Sequence, residues 1–486
     1  MHVGYASPNQ DEELALHHFM QGEFLMNQGN YSLAVLEFQD ALDFDPNAST
    51  IHISIADAYR RLGKNKRAEN HLRVALDLDP DEIEAIEMLG QIYIVQNNII
   101  EAEIQFKNLS NRDPDNIDYL FTLADIARVQ NKLISAIDYY ISAYKINSLA
   151  INGLEQALQI ALSANKFQKA EEVCGLLLED DPDNINYLET LRDLCLFNQN
   201  YNKALSLIKN IEIIKGPSVD IFIQKSALLE ELGDTDLALE ALFDASKIDS
   251  MNLDVLNRLV SLLLVVKNNA EAIMYNQKII ENFPDDASGF INNAIMAMSS
   301  EKPDDVILSL NPHAKKFNHD YTIQYLLGTA YYQIKDYENA EFYLSQALSI
   351  FPESRNAKHN LALIYDTLKK WDKSDNIYIE LIASDSTDAQ AHNNYAFSLV
   401  ERDEDIEFAL ELAKTAIRLS PNSAPYLDTI GWIYYKLGNF DKAIDYVRDS
   451  MNIDKDNVII RGHMDEIIKA KAQGNIKKVQ QVENQD

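Results

Sequence analysis

Residues 22–46, GEFLMNQGNYSLAVLEFQDALDFDP, hold a spacing of small, aromatic and proline residues that recurs along almost the whole chain. Steps of 34 residues forward from Ala34 reach Ala68, Ala102, Ala136, Ala170, Ala204, Ala238, Ala272, then Val306, then Ala340. A second series, twelve residues further along each repeat, contains Pro46, Pro80, Pro114, Pro182, Pro284 and Pro352. After a slip of one residue within residues 401–405, the two series resume at Ala409, Pro421 and Ala443. A fixed period of this length predicts helical hairpins that bury their apolar faces by stacking on their neighbours.

The small residues are expected where the two helices of a hairpin, helix A and helix B, approach most closely. Proline cannot continue helix B, so it is expected to end each repeat. The Asp or Asn after it is predicted to cap the next helix A. The residues in that place are Asp81, Asp115, Asp183, Asp285 and Asn422.

These marks resemble the tetratricopeptide repeat family over roughly residues 15–470, and the closing repeats are most similar to those of bacterial members. The first repeat carries Gly22, Gly29, Tyr31, Ala34, Phe38, Ala41 and Pro46 at the family's positions. The tenth carries Leu327, Gly328, Tyr331, Tyr337, Ala340, Ala347 and Pro352, and the thirteenth carries Ile430, Gly431, Tyr434, Gly438, Phe440 and Ala443. The resemblance implies an all-α, right-handed α-solenoid (superhelix) of about 13 helix-turn-helix repeats with a C-terminal capping helix.

Composition limits the partners that the chain can have. A net charge of -33, from 76 acidic and 43 basic side chains, would repel nucleic acid and anionic lipid. We therefore expect protein or peptide partners that are neutral or basic, no nucleic acid partner and no direct membrane insertion. The alternative interpretation is that the charge only keeps the surface soluble.

The same spacing predicts the organisation of the chain. Residues 1–10 are expected to be a disordered lead, and residues 11–286 are expected to form repeats one to eight. Residues 287–320 form a degenerate ninth repeat, in which Pro312 falls inside the expected helix B and predicts a shortened helix and a hinge. Residues 321–457 form repeats ten to thirteen, and residues 458–486 form a capping helix with a polar tail.

No sequence motif for catalysis, a cofactor or a metal is found, so we expect no enzyme activity, no cofactor and no metal site. The two cysteines, Cys174 and Cys195, fall at core positions and are expected to be buried thiols, with a disulfide as the alternative. The N-terminal residues lack a signal-peptide pattern, which predicts a cytoplasmic protein. The alternative is a periplasmic or envelope-associated protein from which a leader has been removed.

In the family, certain positions of helix A line the concave side of the superhelix. The resemblance therefore implies a partner-binding groove in repeats ten to thirteen, formed by Tyr325, Tyr332, His359, Asn360, Asn394, Phe397, Trp432 and Tyr435. Asn360 and Asn394 share the position that holds peptide-binding asparagines in some members. The alternative is that these aromatic residues pack on neighbouring A helices or on the capping helix.

The family's clamp for a terminal carboxylate needs basic side chains, and this chain lacks them. The corresponding places hold Phe19, Glu23, Ser54, Glu84 and Met88. The predicted function is a non-catalytic protein-interaction scaffold. The alternatives are a bacterial cell-envelope assembly factor or adaptor, and a substrate-recruiting subunit of an enzyme complex.

Overall fold

A computed structural model of the chain describes residues 10–483, and the side chains of residues 10–473. These described residues form 27 α-helices and no β-strand, which confirms the all-α prediction. The predicted lead, apart from Gln10, and residues 484–486 lie outside the described range. The helices are α1 Gln10–Asn27, α2 Tyr31–Phe44, α3 Ser49–Arg61, α4 Asn65–Leu78, α5 Ile83–Val95, α6 Ile99–Arg112, α7 Ile117–Val129, α8 Leu133–Ile146, α9 Ile151–Ser163, α10 Phe167–Asp180, α11 Ile185–Phe197, α12 Tyr201–Lys215, α13 Val219–Glu231, α14 Thr235–Ile248, α15 Leu253–Val265, α16 Asn269–Asn282, α17 Ser288–Ser299, α18 Pro303–Leu310, α19 Tyr321–Gln333, α20 Tyr337–Ile350, α21 Arg355–Thr367, α22 Trp371–Ser384, α23 Ala389–Glu401, α24 Ile406–Leu419, α25 Ala424–Lys436, α26 Phe440–Ile453 and α27 Val458–Glu483.

The described residues divide into two compact halves, with the boundary between Ala241 and Leu242. Within each half, helices that follow one another in the chain pack in antiparallel-hairpin order, with the tightest contacts inside a pair such as α1 with α2 or α19 with α20. Each pair also packs on the next, so the apolar side chains form continuous clusters that run from pair to pair. This is the arrangement of an α-solenoid.

The 34-residue series of small side chains lies at the helix contacts. Every alanine of the series, from Ala34 to Ala443, is fully buried, and so is Val306. Gly328 and Gly431 mark the same close approach, because a Cβ atom on them would lie 2.6 Å from Leu344 Cγ and 2.5 Å from Val447 Cγ2. The repeat spacing therefore reports the points at which helix A and helix B touch.

The turn between helix A and helix B has one left-handed residue at a constant place in the repeat. Glycine fills it at Gly29, Gly63, Gly233 and Gly438, with φ between 71° and 81°. Elsewhere the same turn is made by Asn97, Asn131, Asn165, Gln199, Lys267, Glu301, Lys335, Lys369 and Asp403, also with positive φ. The following residue then closes the helix end, as where the Lys64 N–H donates to the Tyr59 carbonyl oxygen at 2.8 Å.

The capping prediction was displaced by one residue at four of the five places, and by two at α17, whose N-cap is Ala287. The N-cap of α5 is Glu82, that of α7 is Asn116 and that of α11 is Asn184. The proline and the acidic residue after it form a two-residue turn, so the helix begins later than the sequence pattern suggested. Of these three, Asn116 and Asn184 accept hydrogen bonds from backbone N–H groups of the helix they begin.

The ninth repeat has a short second helix. α18 has 8 residues, against 14 in α16 and α20, and it ends at Leu310, two residues before Pro312. Residues 311–319 follow as a series of turns. This is the shortened helix that Pro312 predicts, and the hinge stays a prediction.

The last helix, α27, packs on α25 and α26. Its Ile460 and Ile467 are buried in the apolar cluster of the preceding pairs, and Met464 packs against the same cluster. The described part of α27 therefore covers the apolar end that α25 and α26 would otherwise expose.

Candidate protein-binding groove

A cavity of about 300 Å3 opens between the A helices α21, α23 and α25 and the start of α27. These helices lie side by side because each pair stacks on the next, so residues one repeat apart face the same space. Its polar side chains include Asp366, Asn393, Asn394, Asp428 and His463, and its apolar ones include Leu363, Phe397, Ile459 and Ile460. A concave site with an apolar wall and a few polar groups is the usual form of a ligand-binding pocket.

Asp366 supplies a partly buried carboxylate on the α21 side of the cavity. Its Oδ1 atom accepts a hydrogen bond from Ser398 Oγ at 2.8 Å, and its Oδ2 atom accepts one from the Tyr378 hydroxyl at 2.8 Å. Burial raises the pKa of Asp366, although these hydroxyl donors and the nearby Arg402 oppose the rise. Each oxygen thus accepts one hydroxyl hydrogen bond, and the carboxylate contributes negative charge to the site.

Two further acceptors line the cavity without a donor. Asn393 is 6% exposed and Asp428 is 7% exposed, yet the Oδ1 atom of each has no hydrogen-bond partner among the described residues. The second oxygen of Asp428 lies 2.8 Å from Nδ1 of His463, and the Asn393 amide donates to Asn394 Oδ1 at 3.4 Å. Buried acceptors are nearly always paired, so these two atoms mark a polar site that protein groups alone do not satisfy.

Trp432 lies one helical turn after Asp428, on the same face of α25, and is 6% exposed. Its indole Nε1 donates to Glu401 Oε1 at 2.8 Å, and its ring stacks on the His463 imidazole with 4.2 Å between centroids. Tyr435, whose ring lies 4.8 Å from that of Trp432, donates its hydroxyl to Glu466 Oε1 at 3.2 Å. Trp432 and Tyr435 therefore contact the last helix, which is the alternative that the sequence left open for the aromatic residues.

The cavity brings together two of the eight predicted groove residues, Asn394 and Phe397. Phe397 is 38% exposed, and it is the most exposed aromatic side chain of the predicted set. The other six, which do not line this cavity, are Tyr325, Tyr332, His359, Asn360, Trp432 and Tyr435.

Those on α19 and α21 make local contacts instead. Tyr325 stacks on Tyr321, Tyr332 lies beside Tyr337, and the Asn360 amide donates to Thr329 Oγ1 at 3.4 Å. His359 is buried, with Nε2 3.0 Å from Asp388 Oδ2. Burial raises the pKa of Asp388, but the Ala391 N–H, Arg355 and His359 outweigh it and hold that pKa below its usual value. We infer that His359 links α21 to the start of α23.

Sequence models of the tetratricopeptide repeat match residues 19–83, 60–126, 321–354 and 424–457. The chain belongs to the tetratricopeptide repeat family. Its repeats have the fold of a protein-interaction scaffold.

Two curated relatives align with part of this tetratricopeptide repeat protein. The type IV pilus assembly protein PilF of Pseudomonas aeruginosa is 26% identical over 145 residues, which are 29% of this chain and 57% of that protein. The human cell division cycle protein 16 homolog is 28% identical over 149 residues, which are 28% of this chain and 24% of that protein. The alignments therefore span less than two thirds of either relative. Among solved structures, the APC/C hetero-tetramer Cut9–Hcn1 matches with a TM-score of 0.41 and 14% identity, covering 93% of this chain and 96% of that one.

Sequence reasoning did not single out Asp428 and His463, which are central to the cavity. Asn393, Asp428 and His463 lie 35 residues apart, on the same face of three successive A helices. A polar residue recurring at a buried position of the tetratricopeptide repeat was the available signal. The one-residue slip near residue 403 lengthens only the interval from Asn393 to Asp428. His463 lies one residue beyond the matching place in α27, so a strict period of 34 connects none of the three positions.

The N-terminal half has its own concave cavity, of about 430 Å3, lined by Phe19, Glu23, Ser54, Asp57, Glu82 and Glu84, among others. Burial raises the pKa of Glu84, and the surrounding carboxylates Glu82, Asp57 and Glu23 raise it further. A carboxylate ligand would add to this repulsion. The structure thus gives a physical reason why the family's carboxylate clamp does not form here.

Other side chains that could react or bind a metal ion make contacts that explain them structurally. Cys174 and Cys195 are free and buried, and burial with the neighbouring Cys195 raises the pKa of Cys174 to about 12. The side chains of His18, Glu37 and Asp40 lie within 4.8 Å of one another, and a hydrogen bond of 2.8 Å joins His18 to Glu37. Among the described residues, no helix combines the length and apolar character that crossing a bilayer requires.

The His463–Asp428 contact predicts a pH dependence of stability. Burial lowers the pKa of His463, but the hydrogen bond and charge of Asp428, with Glu401 and Glu466, outweigh it and raise the pKa above its usual value of about 6.5. A raised folded-state pKa stabilises the fold fully below the unfolded-state pKa, and this contribution is lost as the pH rises through the folded-state pKa. We therefore expect His463→Gln to lower the thermal midpoint more at about pH 5.5 than at about pH 8.5.

Thermal melts of the wild type and of His463→Gln at the two pH values check this expectation. The control is His319→Gln, since His319 is exposed and far from these carboxylates. A His463→Gln effect that is equal at both pH values, or larger at high pH, would show that the imidazolium does not hold α27 in place.

Proposed function

We propose that this protein is a non-catalytic scaffold that binds an extended, neutral or basic segment of a partner protein in the groove lined by α21, α23, α25 and the start of α27. The observation that carries the proposal is the half-exposed Phe397 beside Asn394 in the cavity of about 300 Å3. Large exposed aromatic rings in concave sites are typical anchors of protein interfaces. The family's general role as an interaction scaffold supports it.

In this proposal each side chain of the groove makes a different contact with the partner. Phe397, with Leu363 and Ile459, offers apolar surface to one side chain of the partner. Asn394 carries an amide that can donate to and accept from the backbone of an extended segment. The net charge of -33 attracts basic segments from a distance, an effect that salt should weaken.

Phe397→Ala combined with Asn394→Ala should weaken capture of the partner about tenfold or more, since burying an anchor ring contributes more than 1 kcal/mol to such interfaces. The measurement is affinity capture from the native cell, with quantitative mass spectrometry of the proteins retained by wild type and variant. The matched control is Phe342→Ala with Asn376→Ala, which makes the same changes at exposed positions on the second helices α20 and α22. Equal losses in variant and control, or no loss in either, would contradict a role for this groove.

Phe397 separates recognition from folding better than Trp432 or Tyr435 does. A Trp432→Ala protein would lose contacts with α27 as well as any contact with a partner, because its ring is buried against His463. Loss of binding in that variant would therefore not separate recognition from folding.

A second candidate function is assembly of a complex in the bacterial envelope, either as an assembly factor or as an adaptor. It is favoured by the similarity of part of the chain to PilF, whose name describes a type IV pilus assembly protein. Fractionation of the native cell tests it, with an envelope-associated pool as the expected result. Recovery only in the cytoplasmic fraction would favour the cytoplasmic location that the N-terminal sequence predicts. Recovery of a catalytic chain among the captured proteins would instead favour the role of a substrate-recruiting subunit.

A further inference from the structure

We infer that the cavity between α23, α25 and α27 recognises an arginine side chain of the partner segment. The inference rests on the proposed function, because it assigns a ligand chemistry to the same groove. It goes further in naming the side chain that the groove selects and the atoms that select it.

The cavity lining contains two hydrogen-bond acceptors without a donor. Asn393 and Asp428 line the cavity, both are more than nine-tenths buried, and the Oδ1 atom of each has no donor. Neighbouring protein atoms cover both oxygens, so recognition requires the amide and the carboxylate to rotate until an acceptor meets the ligand. Each oxygen gains a hydrogen bond only from a ligand that presents N–H or O–H groups. A ligand with several diverging donors satisfies both at once.

The charge of the cavity lining also favours a cation. Asp366 and Asp428 place two carboxylates around the cavity, and neither lysine nor arginine is among its described lining residues. Two hydroxyl donors hold Asp366, and His463 holds the Oδ2 atom of Asp428. His463 also lines the cavity, but even when its imidazole is protonated, two carboxylates against one imidazolium leave the lining with a net negative charge.

The lining also offers apolar and aromatic surface to the ligand. Phe397 and Ile459 form exposed apolar surface at the cavity. Arginine combines an apolar stem, which can lie along such surface, with a planar cation that carries five N–H donors. A guanidinium also stacks on aromatic rings, which the Phe397 side chain offers. An uncharged side chain lacks the positive charge that the carboxylates favour, and an acidic side chain would be repelled by them.

The test uses two fluorescein-labelled nonapeptide mixtures with the full-length protein. One mixture has arginine at the central position, the other has citrulline, and both have the same equimolar uncharged residues elsewhere. Citrulline keeps the length and shape of arginine but lacks its charge. By fluorescence anisotropy we expect the arginine mixture to bind about tenfold more tightly, with a difference that shrinks as salt is added.

Substitutions of Asp428 and Asn393 test whether these two residues cause the preference for arginine. Asp428→Asn should reduce the preference for arginine about fivefold or more, whereas Asp449→Asn, an equal change of charge on the outer helix α26, should leave it unchanged. Asn393→Asp adds a carboxylate without removing the Asp428–His463 contact, and it should tighten binding of arginine while leaving citrulline as it was. This gain of binding keeps the test decisive if Asp428→Asn disturbs the packing of α27, which circular dichroism would reveal.

Equal binding of the arginine and citrulline mixtures to the wild type would overturn the inference. So would an arginine preference that persists in Asp428→Asn and does not increase in Asn393→Asp. If both mixtures bind equally but are lost together in Phe397→Ala/Asn394→Ala, arginine recognition fails while the proposed groove stands. Absence of binding by either mixture also overturns the inference, and the capture experiment then decides the proposed function separately.

Discussion

Trp432→Ala should remove about 3–5 kcal/mol of stability from the C-terminal end of the protein, the range measured when a buried tryptophan is truncated. The Trp432 ring fills the space between α25 and α27 and stacks on His463. Its loss leaves a cavity, and it also leaves Glu401 Oε1 without the indole N–H that it now accepts from. Because α27 packs on α25 and α26, the damage should be concentrated in these three helices.

Native-state hydrogen exchange measures this effect where it occurs, which is preferable to a global melt because long repeat proteins do not unfold in one step. Amides of α25, α26 and the described part of α27 should lose protection, while those of α19 and α20 should keep theirs. Phe342→Ala is the control, since Phe342 is 55% exposed and its truncation opens no buried cavity. If protection in α25–α27 fell by less than about 1 kcal/mol, Trp432 would not join the last helix to the stack.

Ala340→Leu should destabilise the tenth repeat by about 1–3 kcal/mol through overpacking. Ala340 is fully buried on α20, facing α19, and the helix backbones there are so close that a Cβ atom on Gly328 would collide with Leu344. A leucine adds three carbon atoms where no space exists for them. The two helices must separate, or the side chain must leave its preferred rotamer.

Urea unfolding followed by the exchange of α19 and α20 amides gives the size of this change. Ala383→Leu on α22 is the matched control, because Ala383 is exposed and the same addition there meets solvent. Equal stability of Ala340→Leu and the control would mean that the alanine spacing does not mark the helix contacts.

Much of the fold could be predicted because the strongest steric constraint repeats. Only a small side chain fits where two helix backbones meet, so the series from Ala34 to Ala443 is written directly in the sequence and is fully buried in the structure. Pro312 likewise has one local meaning, the end of a helix, and α18 ends two residues before it. Constraints that only one residue type can meet are readable from sequence.

Other features were hidden because several residue types meet the same constraint. The left-handed residue of the turn between helix A and helix B is glycine at Gly63 but lysine at Lys335 and aspartate at Asp403. Backbone hydrogen bonds that close helix A, such as that from the Asp336 N–H to the Tyr331 carbonyl oxygen at 2.9 Å, accompany this conformation, which these side chains disfavour. The positions of the N-caps were displaced for a similar reason, because the length of a turn depends on its conformation.

The candidate site was only partly predictable. The repeat phase places Asn394 and Phe397 on the groove side of α23, and both line the cavity. The same phase cannot tell whether Trp432 faces solvent or a neighbouring helix, since that depends on how α27 docks. Asp428 and His463 lie on different helices and meet only through this docking, 2.8 Å apart.

Photo-crosslinking from position 397 tests the central claim most directly. With p-benzoylphenylalanine in place of Phe397, illumination of the native complex should join the protein to a partner segment, which mass spectrometry then identifies. The same residue in place of Phe342, on the second helix α20, should give little or no such product. The account predicts a partner crosslink from position 397 that competes with unlabelled partner, and equal crosslinking from position 342, or none from position 397, would contradict it.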